Sequence, residues 1–182
     1  MSAQDGARAG APLVVVMGVS GSGKTTIGAL VAHEAGMPFL DADSLHPLAN
    51  VRKMAAGTPL EEADRRPWLD SVGERLRDAD RDGTGLVLAC SALRRSYRDR
   101  IRRAAPRMVF LHLHGTPDVL TARLEGRSEH FMPASLLTSQ LEALEPLGPD
   151  EPGRALDIGR PVEDVVAEAL DALREKAAAR SR

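Results

Sequence analysis

Gly18, Gly23, Lys24 and Thr25 stand at the spacing G-x-x-x-x-G-K-[ST] within the stretch VVVMGVSGSGKTTIGALVAHEAG. Loops of this pattern wrap phosphate oxygens with backbone N–H groups at a helix start, and their glycines let the backbone come close. Ser20, Gly21, Ser22 and Thr26 complete the set expected to line a nucleotide's phosphates. Lysine is scarce: only Lys24, Lys53 and Lys176 among 24 basic residues. A phosphate loop uses a compact point charge, which the wide fork of arginine does not supply.

Carboxylates form a second group. Asp41 and Asp43 lie two apart at the end of a predicted strand, so in extended backbone both side chains point the same way. Such a pair suits handling of Mg²⁺ and activation of a hydroxyl nucleophile. Thr25 is the expected direct magnesium ligand, and Asp43, further toward solvent, the expected acceptor of the nucleophile's proton. The other use of aspartates here is capping of a turn or helix. Cations form a third group. CSALRRSYRDRIRRAAPR carries seven arginines, with Leu93, Tyr97 and Ile101 on one helical face and Arg94, Arg98 and Arg102 on the row beside it. Most of that row is expected to be solvated, but Arg94 or Arg98, just after a strand's carboxyl end, could reach an anionic substrate. RLEGRSEHFMP supplies Arg123, Arg127 and His130, and lid arginines can close on a moving phosphoryl group. His46, His130 and their neighbouring carboxylates lack a compact zinc spacing, and His112 and His114 alternate along a strand as structural residues would.

The elements that must position these groups alternate. Leu13 to Met17 reads as a buried parallel strand, and Ile27, Leu30 and Val31 recur at helical spacing. MPFLDAD, GLVLACSA, RMVFLHLHG and ALDIG read as further strands, and PVEDVVAEALDALREK as a closing helix. Strands separated by helices predict an α/β fold, a five-stranded parallel sheet with helices on both faces and ligands at the strands' carboxyl ends. The folded domain is expected over 13–175, with loose ends at 1–12 and 176–182. Residues 44–70 and 123–152 are too long for simple connections and read as a substrate-binding insertion and a lid.

The 182 residues make one domain, with 43% hydrophobic and 27% charged residues and a net charge of −2. That balance gives no support for generic nucleic-acid or anionic-membrane binding, and aromatics at 3% offer few stacking platforms for a nucleic acid. No apolar run approaches a membrane span, the first residues lack a secretory-signal layout, and the single Cys90 has no internal disulfide partner. A reducing cytoplasm is the expected location. A nucleotide-dependent switch would want N-K-x-D after a late strand; the sequence has none, and Asp82 to Gly85 matches D-x-x-G only ahead of its strand.

GVSGSGKTTIG, FLDADSLHPLANVRKMAAGTPLEEADRRPWL, CSALRRSYRDRIR, FLHLHG, RLEGRSEHFMPASLLTSQLEALEP and DIGRPVEDVV together resemble the small, single-domain gluconate kinases of the phosphate-loop class, in order from about residue 13 to 170. The resemblance implies ATP-dependent phosphorylation of D-gluconate at its terminal hydroxyl, Mg²⁺ as cofactor, and a P-loop kinase fold like that of nucleoside monophosphate kinases and shikimate kinase. It implies that Gly21 to Thr26 hold the phosphates and Mg²⁺, that Asp43 deprotonates the sugar acid and that Asp41 supports the metal's water shell. His46, Arg52, Arg65, Arg94, Arg98 and His130 become the candidates for gluconate's carboxylate and hydroxyls. Arg123 and the Arg160-Pro161 loop would sandwich adenine, leaving Arg127 for the phosphoryl oxygens, and a homodimer is plausible by family likeness. The sequence departs from the family at Ala42, where glycine usually separates the two aspartates, so the placement of Asp43 stays open. A kinase of the same fold acting on shikimate, a nucleotide or another sugar acid is the nearest alternative.

Overall fold

In the computed structural model, which describes residues 10–126 and 134–180, five parallel strands form one sheet. They are β1 (Leu13–Met17), β2 (Phe39–Asp41), β3 (Leu86–Ala89), β4 (Val109–His114) and β5 (Gly153–Asp157), in the order β2-β3-β1-β4-β5. The helices are α1 (Lys24–Ala35), α2 (Leu48–Ala55), α3 (Glu62–Asp82), α4 (Arg95–Ala104), α5 (Pro117–Glu125), α6 (Ala134–Ala143) and α7 (Val162–Arg180).

Every residue of β1 is buried because the sheet is covered twice. Val14 and Val16 face α1 and α7, packing with Ile27, Val31, Val165 and Ala169. Leu13, Val15 and Met17 face α3 and α4, packing with Leu69, Val72, Leu76 and Ile101. Central β1 has β3 on one side and β4 on the other, so the loop after it opens at the point where strand order reverses, the usual ligand crevice of such sheets.

Four boundaries differ from the sequence reading. β2 stops at Asp41, and Ala42–Leu45 forms a 3₁₀ turn in place of extended chain. The reason is local: Asp41 Oδ1 accepts from the Asp43 N–H at 3.0 Å, and the Ser44 hydroxyl donates to the Asp41 carbonyl at 2.7 Å. The insertion at 44–70 is largely helical, α2 followed by the first turns of α3 with Pro67 inside the helix. Asp64 steadies that start by accepting from the Glu61 N–H at 2.9 Å and pairing with Lys53 of α2 at 2.8 Å. β5 starts at Gly153, two residues early, and α7 continues to Arg180, whose guanidinium donates to the Arg107 carbonyl. No helix of the described residues is long and apolar enough to cross a membrane.

Candidate active site

The loop from Gly18 to Lys24 is held open by backbone geometry. Gly18, Gly21 and Gly23 have φ of 148°, 81° and 89°, values that side chains disfavour. At Gly18 a Cβ would also lie 2.6 Å from the Leu113 carbonyl oxygen. The Gly18 N–H donates to the Ser91 carbonyl at 3.3 Å, tying the loop's entry to the end of β3. Lys24 opens α1 and its ammonium donates to the Val19 carbonyl at 3.1 Å, curled over the loop it serves. The Ser22 side chain is fully buried and its hydroxyl lacks a hydrogen-bond partner among the described residues. Gly21, Gly23, Thr26, Ile27, Arg123 and Val162 line an open cleft of about 210 Å³ beside the loop. Arg123 donates to the Ile158 carbonyl at 2.6 Å, which sets its guanidinium at this cleft.

Asp41 joins the loop to the acceptor side: its Oδ2 accepts from the Thr25 hydroxyl at 2.9 Å while Oδ1 caps the 3₁₀ turn. Asp43 follows on that turn. Desolvation raises its pKa above the ordinary carboxylate range, the Asp41 charge adds to this, and His46 and Lys24 oppose it. Asp43 therefore holds a proton more readily than an ordinary aspartate, with Asp41, His46 and Lys24 as its charged neighbours. Ala42 is fully buried among the α3 core residues, so its methyl group is accommodated between the two aspartates.

His46 stacks on Trp68 with ring centroids 4.3 Å apart, its Nδ1 3.3 Å from the Asn50 amide nitrogen. Desolvation lowers the His46 pKa, with Arg65 adding to the lowering and Asp43 opposing it, so the ring is neutral near pH 7. Trp68 in turn donates to the Ala42 carbonyl at 2.8 Å. Arg65 and Arg94 converge on Glu62 at 3.8 Å and 3.4 Å, and the Tyr97 hydroxyl donates to the same carboxylate at 2.5 Å. The Arg94 guanidinium lies 5.9 Å from the Tyr97 ring centre. This cluster of two arginines, a histidine and an aspartate has the donors that a polyhydroxylated acid needs.

Other candidates go elsewhere. Arg98, expected to reach substrate, is fully buried: it pairs with Glu151 at 2.6 Å and 3.0 Å and donates to the Ala92, Leu93 and Pro146 carbonyls. With all five N–H groups engaged inside the protein it is a structural residue and has no donor left to reach a substrate. Arg160 pairs with Glu168 at 2.6 Å on α7 rather than reaching over the cleft, and it is Val162, next after Pro161, that lines it. Arg52 is exposed on α2. Arg127 and His130 lie outside the described residues. His112 is buried with its Nε2 unpartnered among the described residues, and desolvation, His114 and Arg98 push its pKa down to about 4, as for a structural ring. The buried Cys90 thiol is pushed up to about 12 by desolvation, so it stays protonated near pH 7.

Sequence reading gave no site role to Trp68, Tyr97, Glu62 and Gln140, placing Tyr97 only on the apolar face of a helix. The first two carried a signal, being the sole tryptophan and tyrosine of an aromatic-poor chain. Gln140 lay inside a motif segment without a role; here its Oε1 accepts from the Ser20 N–H at 2.7 Å and its Nε2 donates to the Ser20 hydroxyl at 3.0 Å.

A family model described as an AAA domain matches residues 13–147. The thermoresistant gluconokinase of Escherichia coli strain K12 is 40% identical over 164 residues, 90% of this chain and 94% of that protein. The gluconokinase of Gluconobacter oxydans strain 621H is 48% identical over 157 residues, 86% of this chain and 88% of that one. A crystal structure of a gluconokinase from Sinorhizobium meliloti 1021 superposes with a TM-score of 0.83 at 46% identity, covering 91% and 93% of the two chains. Shikimate kinase from Acinetobacter baumannii, at 16% identity and a TM-score of 0.56, shares the fold. With identities of this size over nearly the full length of these relatives, the chain belongs to the gluconokinase family.

Proposed function

We propose that the chain transfers the γ-phosphoryl group of ATP to the terminal hydroxyl of D-gluconate, giving 6-phospho-D-gluconate and ADP. The observation that carries this is the Thr25–Asp41 hydrogen bond, which joins the phosphate loop to the turn bearing Asp43 and His46, with Arg65 beside His46 and both Arg65 and Arg94 paired to Glu62. The high identity to gluconokinases supports the same reading.

Backbone amides of Gly21 to Thr26 and the Lys24 ammonium would neutralise the phosphates, and Arg123 with Val162 would border the base. Arg65 and Arg94 hold the carboxylate of gluconate, placing its far hydroxyl toward Asp43. Asp43 takes the hydroxyl proton as the O–P bond forms; a loose transition state asks for positioning and charge more than for a strong base. The oxygens of Thr25 and Asp41 fit Mg²⁺, a hard cation usually bound by one or two protein oxygens, waters and substrate phosphates. When bound, it would neutralise charge between the β- and γ-phosphates.

The direct test is release of ADP from ATP and Mg²⁺ with D-gluconate, other sugar acids, shikimate and nucleoside monophosphates, with Lys24→Ala as the blank. Selective turnover of gluconate, absent from the blank, is the expected result. Turnover of another acceptor with none of gluconate would refute the substrate while keeping the phosphate-loop chemistry.

A further inference from the structure

The phosphate loop has an anchor that its motif does not contain. At its base the Gly18 N–H is held by Ser91, and at its crest Gly21 lies under α5, where a Cβ would come within 2.8 Å of the Leu124 side chain. Between them Ser20 is gripped through both its N–H and its hydroxyl by the carboxamide of Gln140, from 120 residues away. Gln140 belongs to α6, whose Leu137 is buried in the core on the α1 and α7 side. Just beyond α6 the Glu145 N–H donates to the Leu93 carbonyl at 2.8 Å, and its carboxylate accepts from the Arg95 N–H that opens α4. The same first turn of α4 carries Tyr97 and is capped by Arg94, both on the acceptor side. Helix α6 and its exit thus touch the rim of the nucleotide loop at one end and the start of the acceptor-site helix at the other.

We infer that Gln140 is a positioning residue for phosphoryl transfer, fixing the rim of the phosphate loop at Ser20 and keeping it in register with the acceptor site through α6. A carboxamide suits this place because the Ser20 N–H needs an acceptor and its hydroxyl is offered a donor, and one planar group supplies both. It also brings no net charge near the phosphates. Freed from Gln140, the Ser20 N–H and hydroxyl would turn to water, and the loop could shift by the fraction of an ångström to which in-line transfer is sensitive.

The inference rests on the kinase reading, and the wild-type rate with D-gluconate tests that reading by itself. The inference is tested by the ratio of variant to wild-type ATP consumption, with and without acceptor, so the two failures are distinguishable. Gln140→Met keeps the length of the side chain and removes both hydrogen bonds; Ser20→Ala removes only one. At 25 °C, well below the melting point of each folded variant, Gln140→Met is expected to lower kcat about tenfold or more while KM for ATP stays within about threefold. The double variant is expected to be no slower than Gln140→Met alone within about twofold, because both changes break one contact. Unchanged kinetics in folded Gln140→Met, an effect confined to KM for ATP, or independent multiplying effects in the double variant would each overturn the assignment. Should Gln140→Met fail to fold, Ser20→Ala decides: a kcat loss of about threefold at unchanged KM for ATP supports the inference, and unchanged kcat overturns it.

Discussion

Asp43 illustrates how burial and neighbouring charges act together on one side chain. Its raised pKa comes mainly from desolvation and then from Asp41. Between the ordinary aspartate value of about 3.9 and the folded-state value, the native protein binds more protons than the unfolded chain, so stability falls as pH rises through this window. Two consequences of opposite sign follow for Asp43→Asn. Turnover should drop by about 10²-fold or more, toward the lower end of general-base effects, because the transition state makes little demand on basicity. Above the window, thermal stability should rise, because the asparagine has no charge to desolvate. In the wild type, kcat/KM for gluconate should fall on the acid side with a midpoint above the usual aspartate value. A midpoint at or below that value would remove Asp43 from the role of base. His46 and Trp68 belong to the same scale: the indole that stacks on His46 also ties down the Ala42 carbonyl, so one residue positions both partners of the turn.

Among the elements, the segment from Leu144 to Pro152 acts as a strap across the start of α4. Arg98 lies beneath it, paired with Glu151 at zero exposure on both side chains, and the Gly148 N–H donates to Glu151 at 2.8 Å. Although desolvation opposes it, the hydrogen bonds that Glu151 accepts from the Arg98 guanidinium and the Gly148 N–H hold its pKa below its ordinary value. The stabilisation is therefore present above the unfolded-state pKa of about 4.3 and is lost as pH falls through the folded-state value. Arg98 also takes the carbonyl of Ala92, whose φ of 43° is the one left-handed non-glycine among the described residues. Glu151→Ala should cost about 3–5 kcal/mol by chemical denaturation, because an unpaired guanidinium is left buried. Replacing both partners by apolar residues of similar volume should cost clearly less than that single change. A single-variant loss under about 1 kcal/mol would show that water reaches the pair.

For the whole molecule, the central position of β1 makes ligand binding and folding one problem. The phosphate loop grows from the most buried strand, and both layers of helices meet there, so a nucleotide on the loop stabilises the structure as a unit. ADP at a hundred times its Kd should raise unfolding stability by about 2.7 kcal/mol. The shift should shrink sharply in Lys24→Ala, and an equal shift in that variant would place the nucleotide elsewhere.

Local spacing alone determined the phosphate loop, the strand–loop–helix that carries it and the parallel sheet, because each is written within a few residues as glycine placement or continuous apolar runs. The paired aspartates were legible as chemistry, but the turn between them was not, since Asp41 capping replaces the extended backbone that their spacing suggested. Only the tertiary structure separated Arg94 from Arg98. They sit four residues apart with the same local pattern, and what leaves one exposed beside Glu62 and draws the other into the core is a carboxylate 53 residues downstream of Arg98. The same holds for Gln140 and Ser20. A hydrogen-bond donor's role depends on which acceptor the fold brings to it, and that pairing is set by the packing of distant segments, where no short-range periodicity records it.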